Sequence, residues 1–153
     1  MHRSADQVAQ PAQAGESALE GAPRLLDAGV TIPGLQADDP IRVALEAYPG
    51  FSARQMVKDS YKNDAKAKQT SARRRARKAI VDVLTATGNL FGFPLAGSAS
   101  LLSTLVSDAT GDRLDAVLCS MQAAWALQRR EANYGLPVKI DPLEGWIAMV
   151  AAR

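Results

Sequence analysis

The chain of 153 residues contains one cysteine, one histidine and few aromatic residues. A single cysteine, Cys119, excludes an internal disulfide, which is consistent with a reducing, cytoplasmic location. One histidine and one cysteine also leave too few nitrogen and sulfur ligands for a zinc site. Aromatic residues make up only 5% of the chain, so stacking of bases on aromatic rings is disfavoured as a main mode of nucleic-acid recognition.

Long apolar runs are also missing. The longest candidate, residues 96–106, is too short to cross a membrane and is rich in serine. The first residues have no apolar stretch after their charges, so we expect no signal peptide. Apolar residues nevertheless form 47% of the chain, as in ordinary globular proteins. We expect a soluble cytoplasmic protein without membrane contact, with a loose segment over residues 1–20 and one domain over 21–153.

Positive charge is concentrated in one part of the chain. Residues 58–78 hold nine basic side chains and two acids, a net charge of +7, which leaves −5 for the rest of a chain whose total is +2. No acid is interspersed from Lys66 to Lys78, so ion pairs within a helix do not explain these charges. The asymmetry favours an anionic partner such as nucleic acid, and the alternative is a solvated helix face.

Local patterns predict an α/β chain that is mostly helical. Alternation of apolar and polar residues from Ile41 to Tyr48 predicts one clear strand, which Pro49 and Gly50 end. Helical spacing, N-cap residues and terminating glycines predict three main helices. The first covers 70–87 with Thr70 as its N-cap, the second runs from Ser98 or Ser100 to 106, and the third covers 111–131. Weaker patterns predict short helices at 23–28 and 51–57, and a C-terminal strand or docked tail at 146–150.

Three carboxylates are candidate metal ligands. Glu46 lies near the C-terminal end of the predicted strand, where open α/β sheets bind their ligands. Asp112 and Asp115 are three residues apart at the start of a helix, which places them on one face and at the positive end of its dipole. Oxygen ligands favour Mg²⁺ or Mn²⁺. The alternatives are that Asp112 is an N-cap, Asp115 an ordinary first-turn acid and Glu46 a solvated residue.

Four stretches, in this order, resemble one protein family. They are Arg42-Val-Ala-Leu-Glu-Ala-Tyr-Pro-Gly50, Ser60-Tyr-Lys-Asn-Asp64, Gly111-Asp-Arg-Leu-Asp-Ala-Val-Leu-Cys119 and Asp141-Pro-Leu-Glu-Gly-Trp-Ile147. Together they resemble the predicted RNase-H-like nuclease family over roughly residues 23–150. The resemblance implies an α/β fold in which helices flank a mixed sheet and acids gather at one edge. It also implies metal-dependent chemistry on nucleic-acid phosphodiesters.

Carried over residue by residue, the resemblance implies that Glu46, Asp112 and Asp115 are catalytic ligands of Mg²⁺ or Mn²⁺. Their carboxylates should then lie within about 10 Å of one another. Four basic residues would hold phosphates: Lys62, Arg73, Arg74 and Arg77. The family's opening hairpin, whose first strand carries an essential aspartate, has no counterpart here. We therefore expect a partial RNase-H-like fold that lacks its N-terminal strands and has no appreciable nuclease activity.

The missing strands imply a sheet edge through which copies of the chain could form a homo-oligomer. Two alternatives to a nuclease domain stay open. The chain could be a non-catalytic remnant that binds nucleic acid or a protein through the basic helix at 66–78. It could also be an inert fragment of low stability.

Overall fold

The structure is a computed structural model, and it describes residues 21, 23–141 and 145–149. The predicted loose segment at 1–20 lies outside these residues. The chain divides into two compact units, Met1–Ala44 and Leu45–Arg153, so the boundary falls inside the range predicted as one domain. The described elements are mostly helical with a small parallel sheet, which confirms the mixed α/β class. The finer assignment to an RNase-H-like fold stays a prediction.

The first unit contains a two-stranded parallel sheet. Residues 23–27 are helical, as predicted, and strand β1 (Val30–Thr31) pairs with strand β2 (Asp39–Val43). Thr31 reinforces the sheet, because its hydroxyl donates to the carbonyl of Asp39 at 2.9 Å.

The strand predicted at 41–48 is wrong in its extent. Its ladder ends at Val43, because the partner strand β1 is only two residues long. The apolar face predicted for this strand is not fully buried either, since Ile41 is 90% exposed. Further along the chain, Glu46 forms an isolated parallel bridge with Ile147. In the range 146–150, predicted as a C-terminal strand or docked tail, the bridge at Ile147 is the strand pairing found among the described residues. The last residue of that range, Val150, lies outside the described residues.

The described part of the second unit contains four α-helices. They are α1 (Pro49–Met56), α2 (Ser71–Thr85), α3 (Ala99–Ser107) and α4 (Asp112–Leu127). One turn of 3₁₀ helix occurs at Lys66–Lys68, and a kinked 3₁₀ segment follows α4 at Arg130–Gly135. The predicted helices are confirmed to within a few residues at each end. Pro49 opens α1 because proline is favoured in the first helical turn.

The helix starts follow ordinary capping chemistry. The side chain of Thr70 accepts a hydrogen bond from the backbone N–H of Arg73, and that of Ser98 accepts one from Leu101. Asp112 is not the N-cap of α4, because Gly111 occupies that position in a left-handed conformation. Asp108 instead satisfies a free amide of the first turn, since its carboxylate accepts from the N–H of Arg113 at 3.0 Å.

The core of the second unit lies between these helices. Helix α2 contacts α1 and α3, and α4 contacts the same two helices. The buried side chains come from all four and from the loop before α3, and they include Ala53, Ile80, Leu84, Phe91, Leu105, Leu114 and Leu118. The apolar stripe predicted for α2 is confirmed at Ala76, Ile80 and Leu84, all of which are buried.

Candidate functional site

Asp115 lies at the centre of a cluster of three polar side chains. Its carboxylate accepts hydrogen bonds from the hydroxyl of Tyr61 and from the ammonium of Lys62. Tyr61 and Lys62 lie in the irregular segment before the Lys66–Lys68 turn, and Asp115 lies in the first turn of α4. One carboxylate oxygen therefore has a hydroxyl partner and the other a cationic partner.

Gly111 allows the chain to approach Lys62 closely. Its φ is +81°, and a Cβ built at this position would lie 2.7 Å from the Cβ of Lys62. Any side chain here would push the lysine stem away, so a glycine before α4 is needed for the contact between Lys62 and Asp115.

The cluster changes the ionisation of its members. Burial, and then the hydrogen bond to Asp115, raise the pKa of the Tyr61 phenol far above its ordinary range. Burial opposes the charge of Lys62, but the hydrogen bond and the attraction of Asp115 raise its pKa. One turn further along α4, burial and then the negative charge of Asp115 raise the pKa of the Cys119 thiol. Tyr61 thus stays a neutral donor and Lys62 stays a cation.

The other two candidate acids have different surroundings. Asp112 is exposed beside the cluster, and its charge also contributes to the raised pKa of Lys62. Glu46 is exposed, and its Oε2 would lie 3.1 Å from a Cβ built on Gly145. Its carbonyl accepts a hydrogen bond from the N–H of Ala148 at 2.9 Å.

Across the described ranges, no group of three or more His, Cys, Asp or Glu side chains is arranged so that it could hold a metal ion. The structure brings Asp115 to a lysine and a tyrosine, and it does not gather Glu46, Asp112 and Asp115 into such a group. The shared metal site therefore stays a prediction.

Arg77 does not have the free side chain that was predicted for a phosphate ligand. It is 2% exposed, its Nε donates to the carbonyl of Val106 at 2.9 Å, and its Nη1 donates to the carbonyl of Tyr61 at 2.7 Å. The residue belongs to the apolar face of α2, because it precedes Ile80 and Leu84 by three and seven positions. Its role is structural: it joins α2 to the end of α3 and to the segment that carries Lys62.

Two other predicted phosphate ligands are partly engaged. Lys62 pairs with Asp115, although 42% of its side chain remains exposed. Arg73 donates to the carbonyl of Lys68 and, at 3.4 Å, to the hydroxyl of Ser60. Arg74 is exposed, and no ion pair with it occurs among the described residues.

Residues 66–78, called the basic segment below, present several further cations. Lys66, Lys68, Arg75 and Lys78 are exposed. Lys78 pairs with Asp82 one turn later at 2.7 Å, whereas the other three have no acid partner within the described part of the chain. Arg75 belongs to the predicted basic helix at 66–78 but is not among the four residues that the resemblance assigns to phosphates, although helical spacing puts it on the same face as Lys78.

Comparison with known proteins gives no relative: no family model, no curated protein and no solved structure matches the chain. In the part of the chain that the structure describes, no helix has both the length and the apolar character needed to span a membrane.

Proposed function

We propose that this protein binds the phosphodiester backbone of nucleic acid, as a domain of the RNase-H-like nuclease type without cleavage activity of its own. The observation that carries the proposal is the basic segment. Its exposed cations Lys66, Lys68, Arg74 and Arg75 lack acid partners among the described residues. Cations that are not neutralised within the protein attract phosphates and release the counterions that surround nucleic acid.

The four stretches that carry the resemblance contact one another in two pairs. The second of the resembling stretches contacts the third, through Tyr61 and Lys62 with Asp115, and the first contacts the fourth, through Glu46 with Ile147. These residues are far apart in the sequence, so their contacts are not a consequence of local structure. The fold therefore brings the four stretches together in pairs.

The residues as arranged do not fit the Mg²⁺ or Mn²⁺ ion that the resemblance implies. Both oxygens of Asp115 already have partners, and one of these is the cation Lys62. An ion at this position would have to displace the lysine or share one carboxylate with a like charge. Binding without cleavage is therefore the function that this geometry supports best.

Salt dependence of binding tests the proposal. Fluorescence anisotropy of a labelled oligonucleotide, measured at several salt concentrations, should give a linear decrease of log affinity with log salt. Replacing Lys66, Lys68 and Arg74 by glutamine should reduce that slope by about 2, since each phosphate contact on a single strand contributes roughly 0.7.

The matched control replaces three exposed cations outside the basic segment, Arg24, Arg54 and Lys139, by glutamine and so changes the net charge equally. Its slope should stay close to that of the unaltered protein. Equal losses in the two variants would mean that net charge, and not the basic segment, causes the binding.

A cleavage assay tests the second half of the proposal. The purified chain should leave DNA and RNA intact in the presence of Mg²⁺ or Mn²⁺, because Asp115 is held by Lys62 and Tyr61. Metal-dependent cleavage that disappears in the Asp115→Asn variant would contradict this expectation and identify Asp115 as a catalytic residue.

A further inference from the structure

A shallow cavity lies directly beside the cations of the basic segment. It has a volume of about 210 Å³ and is lined by Val57, Asp59, Ala72, Arg75, Ala76 and Ala79. The three alanines are four and three positions apart on α2, so their methyl groups share one face of the helix. Together with Val57 they form an apolar floor without large side chains.

The two charged residues of the cavity do not neutralise each other. Asp59 and Arg75 both line it and both are exposed, yet no ion pair joins them. Among the described residues, no hydrogen-bond partner of the Asp59 carboxylate is found either. The cavity therefore combines an anionic acceptor and a cationic donor with a lining of small apolar side chains.

The size of the cavity indicates what kind of ligand fits. Its volume of about 210 Å³ is below the roughly 300 Å³ at which pockets for whole small molecules begin. It suits one flat group of a longer ligand better than a free metabolite. Because Arg75 belongs both to the cavity and to the basic segment, the rest of such a ligand would carry negative charge.

We infer that this cavity receives one unstacked base of a single-stranded nucleic acid whose phosphates lie on the basic segment. The inference rests on the proposed function, and it adds a preference for single strands and for particular bases. The alanine floor contacts the face of the base, Arg75 contacts the neighbouring phosphate, and the Asp59 carboxylate accepts a hydrogen bond from the edge of the base.

The acceptor at Asp59 selects among the bases. Cytosine presents an exocyclic amino group, which a carboxylate accepts well. Thymine presents one ring N–H between two carbonyl oxygens, and these oxygens repel a carboxylate. No aromatic ring lines the cavity, so stacking does not mask this difference. An oligomer of deoxycytidine should therefore bind more tightly than an oligomer of deoxythymidine.

The test measures binding of labelled (dC)₁₂ and (dT)₁₂ to the full chain by fluorescence anisotropy at pH 8. The unaltered protein should prefer (dC)₁₂ by about threefold to tenfold, which corresponds to one hydrogen bond. Asp59→Asn should abolish the preference. Asp64→Asn is the matched control, because it removes an exposed acid of the same region that does not line the cavity, and it should leave the ratio unchanged.

A second pair of variants tests the cavity itself. Ala72 is exposed and lies in the helix, so Ala72→Leu fills the cavity without disturbing the core, and it should weaken binding of (dC)₁₂ by at least threefold. Ala123→Leu adds the same side chain at an exposed position of α4 and should have no effect. Circular dichroism checks that both variants keep their helices.

The outcomes separate this inference from the proposed function. Salt-dependent binding with equal affinity for both oligomers, unchanged in Asp59→Asn, would overturn the inference and leave phosphate binding in place. A ratio that changes equally in Asp59→Asn and Asp64→Asn would also overturn it. Absence of binding to either oligomer would overturn the proposed function and the inference with it.

Discussion

Replacing Arg77 by methionine should destabilise the protein and leave its affinity for nucleic acid nearly unchanged. The guanidinium is buried and donates to the backbone carbonyls of Val106 and Tyr61 at 2.9 and 2.7 Å. Methionine keeps most of the volume of the side-chain stem but has no donor. The substitution thus leaves two carbonyl acceptors without these partners, one in a buried and one in a partly buried position.

The expected loss follows from these two hydrogen bonds. A buried acceptor left without its partner costs about 1–3 kcal/mol, so the loss of both hydrogen bonds in Arg77→Met should lower the free energy of unfolding by roughly 2–6 kcal/mol. With a dependence of the free energy of unfolding on urea of about 2 kcal/mol per molar, typical of a small protein, the midpoint should fall by about 1–3 M. Urea unfolding followed by far-ultraviolet circular dichroism measures this shift.

Arg74→Met is the control, because Arg74 lies three residues earlier on the same helix and is exposed. It should change stability by less than about 0.5 kcal/mol and should weaken binding to an oligonucleotide. The reasoning is refuted if Arg77→Met is as stable as Arg74→Met and instead loses affinity. Arg77 would then be the phosphate ligand that its place in a run of arginines suggested.

Two further predictions concern the Asp115 cluster. Because burial and Asp115 raise the pKa of Tyr61 above its ordinary value of 10.0, the stability that the neutral phenol confers is complete below that pH and declines above it. Between pH 9 and 11 the urea midpoint should therefore fall less in Tyr61→Phe than in the unaltered protein, and equal declines would contradict this. Gly111→Ala should cost about 1–3 kcal/mol, since it adds a Cβ at positive φ and 2.7 Å from Lys62, and should lower the midpoint of thermal unfolding. Gly88→Ala, also at positive φ but with open space around it, should cost less, and equal losses would show that the contact with Lys62 is not tight.

The helices could be predicted from the sequence because the signals that determine them are local. Thr70 and Ser98 cap the helices that follow them, and the apolar spacing from Ala76 to Leu84 marks the buried face of α2. The strand at 41–48 could not be predicted as well. Alternation shows that a segment can be a strand, but the length of a ladder depends on its partner, and β1 offers only two residues.

Helical spacing predicts which face of α2 an arginine occupies, but not which residues it contacts. The run of charged residues groups Arg77 with its neighbours, although its spacing of three and seven to Ile80 and Leu84 puts it on the apolar face. That signal was present in the sequence. The hydrogen-bond partners of Arg77 were not, because Val106 lies 29 positions away and no local pattern relates the two residues.

The Asp115 cluster could not be predicted from the sequence. The sequence indicated Lys62 and Asp115 as functional residues, one for phosphates and the other for a metal ion. It does not indicate that the two contact each other, because they are 53 positions apart and no local pattern relates them. A lysine and an aspartate can each bind a ligand of opposite charge, or they can form an ion pair with each other. Only the tertiary structure distinguishes these two possibilities.

The half-buried Cys119 has a consequence for handling the protein. The chain has one cysteine, so any disulfide must join two copies of it. Thiol–disulfide exchange requires the thiolate, and burial together with Asp115 raises the pKa of this thiol. Near neutral pH the nucleophilic form is therefore scarce, and covalent dimers should accumulate slowly in preparations without reducing agent. Agents that unfold the chain should speed their formation, because they remove both the burial and the neighbouring charge.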